Sequence, residues 1–342
     1  MARRPTTQDV AREAGVSVTT VDRALNGRAK VREETMRKIA QAAHKVGYHA
    51  RGLIEQNIDA AVPEMTFGFV FIKKGQEFYQ NFAREAERAV AARTDIRGRA
   101  VIRYAPSQSP EDFAKALESL SHCDAIAATA INHHLLAEVV SDLKARGVPV
   151  FSVLNDFAQG VRRNYIGLNN MKIGRIAAWT ISKTVPQPGK LAIFVGGNRW
   201  HGHDLREVGF RSYLRENAPA FSVLDTLVNL ETRQLTYEAT LDLVRRHPDL
   251  KGIYVGGGGM EGAIAALREV HASPRVALVV NEVTKESAAA LREGYVLMAI
   301  TTPLRTLCDD LVGHMVRSVR EGDDGIAGQH FLEPHIVLPE ML

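Results

Sequence analysis

The sequence predicts a small all-α module at the N-terminus, followed by an α/β body of two lobes, each built on a doubly wound parallel sheet. Three observations predict it. Residues 6–47 carry apolar positions at helical spacing, punctuated by capping residues and glycines. From Thr66 onward, short β-rich runs alternate with segments of helix length, and that pattern restarts at Lys190. Finally, the charge is unevenly placed: of 43 Lys+Arg and 39 Asp+Glu, residues 1–62 hold 11 and 7, so residues 63–342 hold 32 of each. The whole basic excess sits in the first fifth, which suggests a module that meets a polyanion and a neutral body with another task.

With 342 residues, 45% of them hydrophobic and 24% charged, the chain is long enough for two or three packed domains and too apolar for disorder as its main state. Cys123 and Cys308 lie far apart with no CxxC spacing, which fits core thiols in a reducing compartment. No apolar run approaches the roughly 20 residues that cross a bilayer. The opening Met1-Ala2-Arg3-Arg4-Pro5 is not a signal-peptide core, so the expected location is cytoplasmic.

In the first module, Thr6 caps a helix with Asp9 as its capping-box partner, and Val10, Ala11 and Ala14 form the apolar face. Gly15 ends it, and after Val16 a second helix begins, capped by Ser17 and running from Val18 to about Leu25, where Asn26-Gly27 terminates it. Two helices joined by so tight a turn cross steeply, which is helix-turn-helix geometry. A third helix, about Arg32 to Val46, supplies Met36, Ile39, Ala40, Ala43 and Val46 to a small core completed by Ala11, Val16, Val21 and Leu25, and Gly47 ends it. Val18, Thr19, Asp22 and Arg23 are then left on the outer face of the second helix with no apolar task. A helix lying in a major groove needs such a face: Val18 can touch a thymine methyl, Thr19 can donate or accept, and Arg23 can form the two-pronged bond to guanine. Asp22 either accepts from a cytosine amino group, holds the Arg23 guanidinium, or is an exposed helix charge.

The run Thr6-Thr7-Gln8-Asp9-Val10-Ala11-Arg12-Glu13-Ala14-Gly15-Val16-Ser17-Val18-Thr19-Thr20-Val21-Asp22-Arg23-Ala24-Leu25-Asn26, continued by Lys45-Val46-Gly47-Tyr48, resembles the N-terminal signature of the lac/galactose repressor family. The resemblance implies that the second helix reads an operator half-site, with Val18, Thr19 and Arg23 at the family's base-reading positions. It extends the nucleic-acid contact set to Thr6, Ser17, Thr20, Asp22, Asn26 and, in the hinge, Ile58. Where the family usually has Ser, this chain has Asp22. The family's hinge helix wedges an apolar side chain into the minor groove. Here the corresponding stretch, residues 49–61, departs from that pattern: Asn57 falls on the usual wedge Leu, Ile54 and Ile58 lie nearby, and Gly52 lowers helix propensity by about 1 kcal/mol relative to Ala. Either Ile58 takes over the wedge or the hinge grips DNA without a pronounced kink.

In the body, Phe67–Ile72, Ala100–Tyr104, Ala125–Thr129 and Val150–Val153 read as strands, separated by helices at Phe78–Arg93, Pro110–Ser121 and His133–Arg146. The second series is Lys190–Val195, Val223–Val228, Gly252–Val255, Val276–Val280 and Val296–Ile300. Ligands collect at the carboxyl ends of parallel strands, so residues just past each strand are the candidate site. They are Lys73 with Phe78 and Tyr79, Asn132 and His133, Asn155 and Asp156, Trp200 to Arg206, Gly256 to Gly259, Asn281 with Glu282, and Thr301-Thr302. Of these, Phe78, Tyr79, Asn132, Asn155, Asp156, Trp200, Arg206, Asn281, Glu282 and Thr302 are the expected ligand contacts. Flat aromatic faces mixed with carboxylates, amides and an arginine suit a sugar or polyol, whose C–H faces pack on rings while its hydroxyls take planar polar partners. Asp156 and Arg206 are the leading candidates, and Lys73-Lys74 reads as a solvated pair.

This order also resembles the effector domain of the same family, in the branch close to periplasmic ribose-type binding proteins. Phe78-Tyr79 is similar to that branch's aromatic pair, Asn155-Asp156 with 162–170 to its interlobe segment, 201–211 to its ligand-arginine loop and Asn281-Glu282 to its acidic ligand position. Thr302 stands where His or Gln is common. The resemblance implies a periplasmic-binding-protein-like domain and these boundaries: helix-turn-helix 1–48, linker 49–62 and effector domain 63–342, with lobe 1 at 63–164 and 297–328 and lobe 2 at 165–296 and 329–342. The function it implies is a ligand-responsive transcriptional regulator, in the family's commoner mode a repressor that ligand releases from DNA. Its partners are double-stranded operator DNA and a small sugar or polyol effector.

The rival reading is a two-lobed nucleotide- or sugar-dependent enzyme with a basic N-terminal module. Gly256-Gly257-Gly258-Gly259 lacks GxGxxG spacing, no GxxxxGK[ST] occurs, and no GxSxG elbow accompanies a plausible triad. His201-Gly202-His203 and His133-His134 lack a third metal ligand, so no cofactor, metal or catalytic residue is expected. Single helix-turn-helix modules act in pairs on half-sites, which predicts a homodimer on a pseudo-palindromic operator. Only Pro339-Glu340-Met341-Leu342 follow Leu338, with no leucine heptad for a tetramer.

Overall fold

A computed structural model describes residues 4–26, 31–54, 62–270, 275–322 and 328–342. It divides into two compact units, Met1–Met65 with Arg93–Gly98, and Thr66–Ala92 with Arg99–Leu342. The division falls a few residues beyond the expected boundary at 62/63 and adds a short segment from the body to the first unit.

The first unit contains α1 (Thr7–Ala14), α2 (Val18–Asn26) and α3 (Glu33–Lys45). Asp9 Oδ2 accepts from the Thr6 amide and hydroxyl, both at 2.8 Å, and Gly15 closes α1 in the left-handed region at φ 68°. Ser17 Oγ accepts from the Thr20 amide at 3.2 Å and so starts α2. Val10, Ala11, Val21, Ala24, Met36, Ile39, Ala42 and Ala43 are buried between the three helices, while Leu25, Ala40 and Val46 pack only partly against them. Tyr48 and Ile54 also belong to this core. Within the expected 49–62 linker, residues 51–54 are helical and Ile54 is fully buried against this core. Asn57 and Ile58 lie outside the described residues.

The second unit holds two sheets. The first runs β12-β5-β4-β3-β1-β2, built from β1 (Glu64–Ile72), β2 (Arg97–Ala105), β3 (Ala125–Ala128), β4 (Val150–Val153), β5 (Asn164–Leu168) and β12 (Gly328–Leu332). The second runs β13-β11-β10-β9-β6-β7, with β8 also paired to β6. Its strands are β6 (Lys190–Val195), β7 (Ser222–Val223), β8 (Leu227–Val228), β9 (Leu250–Val255), β10 (Ala277–Asn281), β11 (Met298–Thr301) and β13 (His335–Val337). β11–β13 is antiparallel, whereas the pairs joining β1, β3, β4, β5 and β12, and those joining β6 to β11, are parallel. Phe67, Phe69, Val70, Phe71 and Ile72 of β1 are all buried on consecutive positions, as a strand covered on both faces requires. The expected strand at 223–228 is broken into β7 and β8.

The helices are α4 (Glu77–Ala91), α5 (Pro110–Glu118), α6 (His134–Ala145), α7 (Asn170–Thr184), α8 (His201–Asn217), α9 (Arg233–Arg246), α10 (Met260–Val270), α11 (Lys285–Arg292) and α12 (Leu304–Glu321). The pairing corrects the expected lobe boundaries. β5 pairs with β4 (Ser152 opposite Tyr165) and β12 with β5 (Gln329 opposite Tyr165), so 164–168 and 328–332 belong to the first lobe. β11 pairs with β10, so 298–301 belong to the second. The chain thus changes lobe after β5, after β11 and after β12. Edge pairing across long sequence separations decides this, and local hydrophobic pattern carries no record of it.

α7 and α8 pack backbone to backbone. A Cβ on Gly174 would lie 1.9 Å from the Arg206 carbonyl oxygen, and one on Gly209 would lie 2.1 Å from that of Met171. Neither approach tolerates a side chain, so these two glycines set the depth of the crossing and with it the placement of Arg206. Gly174→Ala is expected to destabilise the body by about 3 kcal/mol or more in urea unfolding; a wild-type midpoint would show that the helices can part at no cost.

Candidate functional site

On α2, Ser17, Val18, Thr19, Asp22, Arg23 and Asn26 are exposed and Thr20 is half-buried, while Val21 and Ala24 face the core. Thr6, at the start of α1, is half-buried. Several polar members of this face are satisfied locally. The Ser17 and Thr20 hydroxyls bond to each other at 2.8 Å, and Asn26 Nδ2 donates to the Asp22 carbonyl at 3.0 Å and to its carboxylate at 2.9 Å. Asp22 is therefore held by Asn26, one turn on, and not by Arg23. Val18, Thr19 and Arg23 project from the same face.

In the second unit, a cavity of about 490 Å³ lies at the carboxyl ends of the strands, walled by residues of both lobes. Of the residues expected there, it brings together Phe78, Tyr79, Asn155, Trp200, Arg206, Asn281, Glu282 and Thr302. Phe78 and Tyr79 meet edge to face at 5.2 Å, and Trp200 Nε1 donates to Gln108 Oε1 at 3.0 Å. Asn155 donates from Nδ2 to the Ala130 carbonyl of its own lobe at 2.6 Å, and its Oδ1 joins the lobes by accepting from the Gly202 amide at 2.8 Å.

Arg206 is held by Nε to Asn170 Oδ1 and Nη1 to the Gly256 carbonyl, both at 2.7 Å. These acceptors orient the guanidinium without cancelling its charge. Asn281 Nδ2 reaches the same Gly256 carbonyl at 3.2 Å and lies against the Tyr254 hydroxyl. Glu282 accepts from the Thr302 amide at 3.1 Å and hydroxyl at 2.6 Å. Burial pushes the Glu282 carboxyl up to about 7, against the opposing pull of the Thr302 donors and Arg206.

Two expected site residues are elsewhere. Asp156 is buried within the first lobe, where Arg162 grips it through an ion pair with Nη2 at 2.7 Å from Oδ2. Ser152 and Gln329 donate to it at 2.9 and 3.0 Å, and Arg162 Nη1 continues to the Gly328 carbonyl at 2.9 Å. This network fastens β12 to β4 and leaves Asp156 off the cavity wall. Asn132 is exposed and also off the wall, although its amide donates to the Arg199 carbonyl of the other lobe at 2.9 Å.

Four residues outside the expected contact set stand in or beside the site. Lys73, expected to be solvated, crosses between the lobes: its Nζ donates to Glu231 Oε2 at 2.9 Å and to the Glu231 carbonyl at 3.2 Å. Glu231 also accepts from the Gly258 amide at 3.3 Å. Burial raises its carboxyl, but His203, Lys73 and Gly258 outweigh that and hold it below the ordinary value. His203 is buried, and its Nδ1 accepts from the Gly196 amide at 3.1 Å. Its neutral ring therefore carries the proton on Nε2, 3.8 Å from Glu231 Oε1, and burial lowers its pKa to about 4. Thr129, 2% exposed on the cavity wall, has a hydroxyl oxygen without a hydrogen-bond partner.

Lys73, Leu230, Glu231 and Glu282 all sit at positive φ, between 50° and 68°. Non-glycine residues in that region cost free energy that surrounding contacts must offset, and they gather at functional sites. The partial signal in sequence was position, since Lys73 directly follows a strand. Glu231 follows the short β8, the second half of the single strand expected at 223–228. Among the described residues, no group of three or more His, Cys, Asp or Glu could hold a metal ion, and no helix is long and apolar enough to cross a membrane.

Comparison with known proteins fits both parts. Residues 67–309 match the model described as "Periplasmic binding protein domain", and residues 6–50 match "Bacterial regulatory proteins, lacI family". The chain belongs to the periplasmic binding protein domain family and begins with a lacI-family domain. The HTH-type transcriptional regulator RegA of Clostridium saccharobutylicum is 38% identical over 84 residues, 23% of this chain and 24% of RegA. The sucrose operon repressor of Vibrio alginolyticus is 39% identical over 71 residues, 20% of this chain and 76% of that sequence. The alignment thus spans about a quarter of RegA's length. Among solved structures, an ABC transporter periplasmic solute binding protein from Actinobacillus succinogenes with bound D-allose superposes with a TM-score of 0.73 at 16% identity, over 81% of this chain and 98% of the other. The fold is shared.

Two predictions test the assignments. Asp156→Asn is expected to cost about 3–5 kcal/mol at neutral pH, because it leaves Arg162 buried without its counter-charge. The folded Asp156 pKa is depressed, since the Arg162, Gln329 and Ser152 bonds outweigh a burial effect that is the largest single influence and acts upward. Its contribution is therefore complete above the unfolded pKa and lost as pH falls through the folded value, so variant and wild type should converge in acid unfolding curves. Glu282 has the opposite sign. With a folded pKa raised to about 7, folding takes up a proton, and wild-type stability falls as pH rises between the ordinary carboxyl value and about 7. Glu282→Gln should gain on wild type across that window, and a pH-independent difference would mean that Glu282 is ionised throughout.

Proposed function

We propose that the chain is a sugar- or polyol-responsive transcriptional regulator that acts in the cytoplasm as a homodimer on a pseudo-palindromic operator. The observation that carries this reading is the outer face of α2. Val18, Thr19 and Arg23 project from a helix whose other polar groups bond to each other and whose apolar groups fill the core. A face with a thymine-methyl contact, a hydroxyl and a bidentate guanine donor is what major-groove reading requires. Ser17, Thr20, Asn26 and Thr6 are assigned to phosphate and backbone contacts, which set register without reading sequence.

The effector site in this reading is the cavity, where Phe78, Tyr79 and Trp200 offer apolar faces and Arg206, Asn281, Glu282 and Thr302 offer hydrogen-bonding groups. The fold likeness to a D-allose-binding protein and the relatedness to a sucrose operon repressor support a carbohydrate ligand. Operator affinity then changes only by the ligand's differential affinity for the two states of the body. Release from DNA, and hence repression relieved by effector, is the mode we assign.

Arg23→Ala, assayed on operator fragments that the wild-type protein selects from a random pool, should lose about 1–3 kcal/mol of discrimination between selected and random DNA. Equal weakening on both would remove Arg23 from base reading.

A further inference from the structure

Arg206 and Glu231 line the cavity, and Lys73, not itself on the wall, is bonded to Glu231; both cations act on the buried His203 beside them. Left alone, such a pair is an anion site. Glu231 prevents it. Its Oε2 and its carbonyl both accept from Lys73 Nζ, at 2.9 and 3.2 Å, and its side chain is 11% exposed against 22% for Lys73. At the rim, Arg233 is likewise spent, on Glu286 at 3.1 and 3.2 Å.

The placement of Glu231 is costly and specific. It and Leu230 occupy consecutive left-handed positions, at φ 54° and 50°. The protein clears space for it: a Cβ on Gly196 would lie 2.6 Å from Glu231 Cγ, and one on Gly258 would lie 3.0 Å from Glu231 Cβ. Asn229 Oδ1 accepts from its amide at 2.8 Å, which pins the strained turn.

We propose that Glu231 is a specificity-determining residue that neutralises Lys73 and so restricts the cavity to uncharged ligands, excluding sugar phosphates and sugar acids. This rests on the reading of the cavity as a sugar or polyol site and narrows it to the neutral members of that class. An arriving phosphate or carboxylate meets the Glu231 carboxylate and must break the Lys73 bond to recruit that half-buried ammonium beside Arg206, whereas Lys285 on the wall is solvent-exposed. A neutral polyol meets donors and acceptors together and breaks nothing. Replacing the carboxylate by a neutral group should therefore create an anion site that the wild type lacks.

The experiment uses the full chain and inorganic phosphate at constant ionic strength, read as thermal shift. Wild type should show no phosphate response, whereas Glu231→Gln should gain a dose-dependent rise of about 3 °C or more at millimolar phosphate. The gain should vanish in the Glu231→Gln, Lys73→Met double variant. Glu231→Gly repeats the test with a residue that favours positive φ, so that loss of folding in the Gln variant leaves the question answerable. D-Allose and D-allose 6-phosphate form the second arm, and the phosphate ester should bind Glu231→Gln at least about tenfold more tightly than wild type. Absence of any gain in both variants, or a wild type that already binds phosphate or prefers the ester, overturns the proposal. Failure of the wild type to select any operator would defeat the regulator reading and leave this result standing, since the phosphate arm needs neither DNA nor effector.

Discussion

A charge placed near the carboxyl end of a buried parallel strand must find a partner there, because the surrounding walls have too low a polarity to solvate it alone. Four charged groups in the body meet that requirement in four ways, and the site follows from how they do it. Asp156 takes Arg162 and three neutral donors from its own lobe, Ser152, Gln159 and Gln329, and so becomes a rivet between β4 and β12. Glu231 takes Lys73 from the opposite lobe, and so becomes a bridge. Glu282 takes only the Thr302 donors and the more distant field of Arg206, and its carboxyl consequently rises. Arg206 takes neutral oxygens, which aim it while leaving its charge available to the cavity.

The lobes are joined directly as well as through the chain crossings. Lys73 to Glu231, Trp200 to Gln108, Asn155 to the Gly202 amide and the Asn132 amide to Arg199 all cross the cleft. Any ligand that acts by favouring one arrangement of the lobes works with these bonds or against them, and its leverage is limited to the difference it makes between the two arrangements. The close crossing of α7 and α8 has a related role. Gly174 and Gly209 let two backbones touch, and the contact holds the helix that carries Arg206 at a fixed depth.

In the N-terminal unit the constraint is scarcity. Three short helices share a core of about ten buried side chains, which even recruits Tyr48 and Ile54 from beyond α3. Every apolar residue of α2 that can turn inward does so, which leaves its outer face polar apart from Val18, 42% exposed. That division of one helix into an occupied face and an idle one gives α2 its capacity to meet another macromolecule.

Much of this was legible in the chain itself. Helical periodicity, Gly15 and Ser17 located the turn between α1 and α2, and continuous apolar runs located β3, β4 and β6 nearly to the residue and β1 except for its first three residues. These signals are local, carried by neighbours within one turn or one strand. That the aromatic pair, Arg206, Asn281, Glu282 and Thr302 line one cavity was also legible, because strand ends can be read once strands can. The partner of each charge was not legible. Asp156 and Glu231 look alike as acidic residues after short strands, yet one is tied to its own lobe and the other spans the cleft. That difference depends on β12 returning to the first sheet from 160 residues away, and on a left-handed turn that swings Glu231 toward Lys73. The sequence by itself determined the two architectures and the idle face of α2, since propensity and pattern act over short range. Only the tertiary structure decided which charges are rivets, which are bridges and which remain for a ligand, because electrostatic pairing is settled by distance in space and low dielectric, neither of which is written in order along a chain.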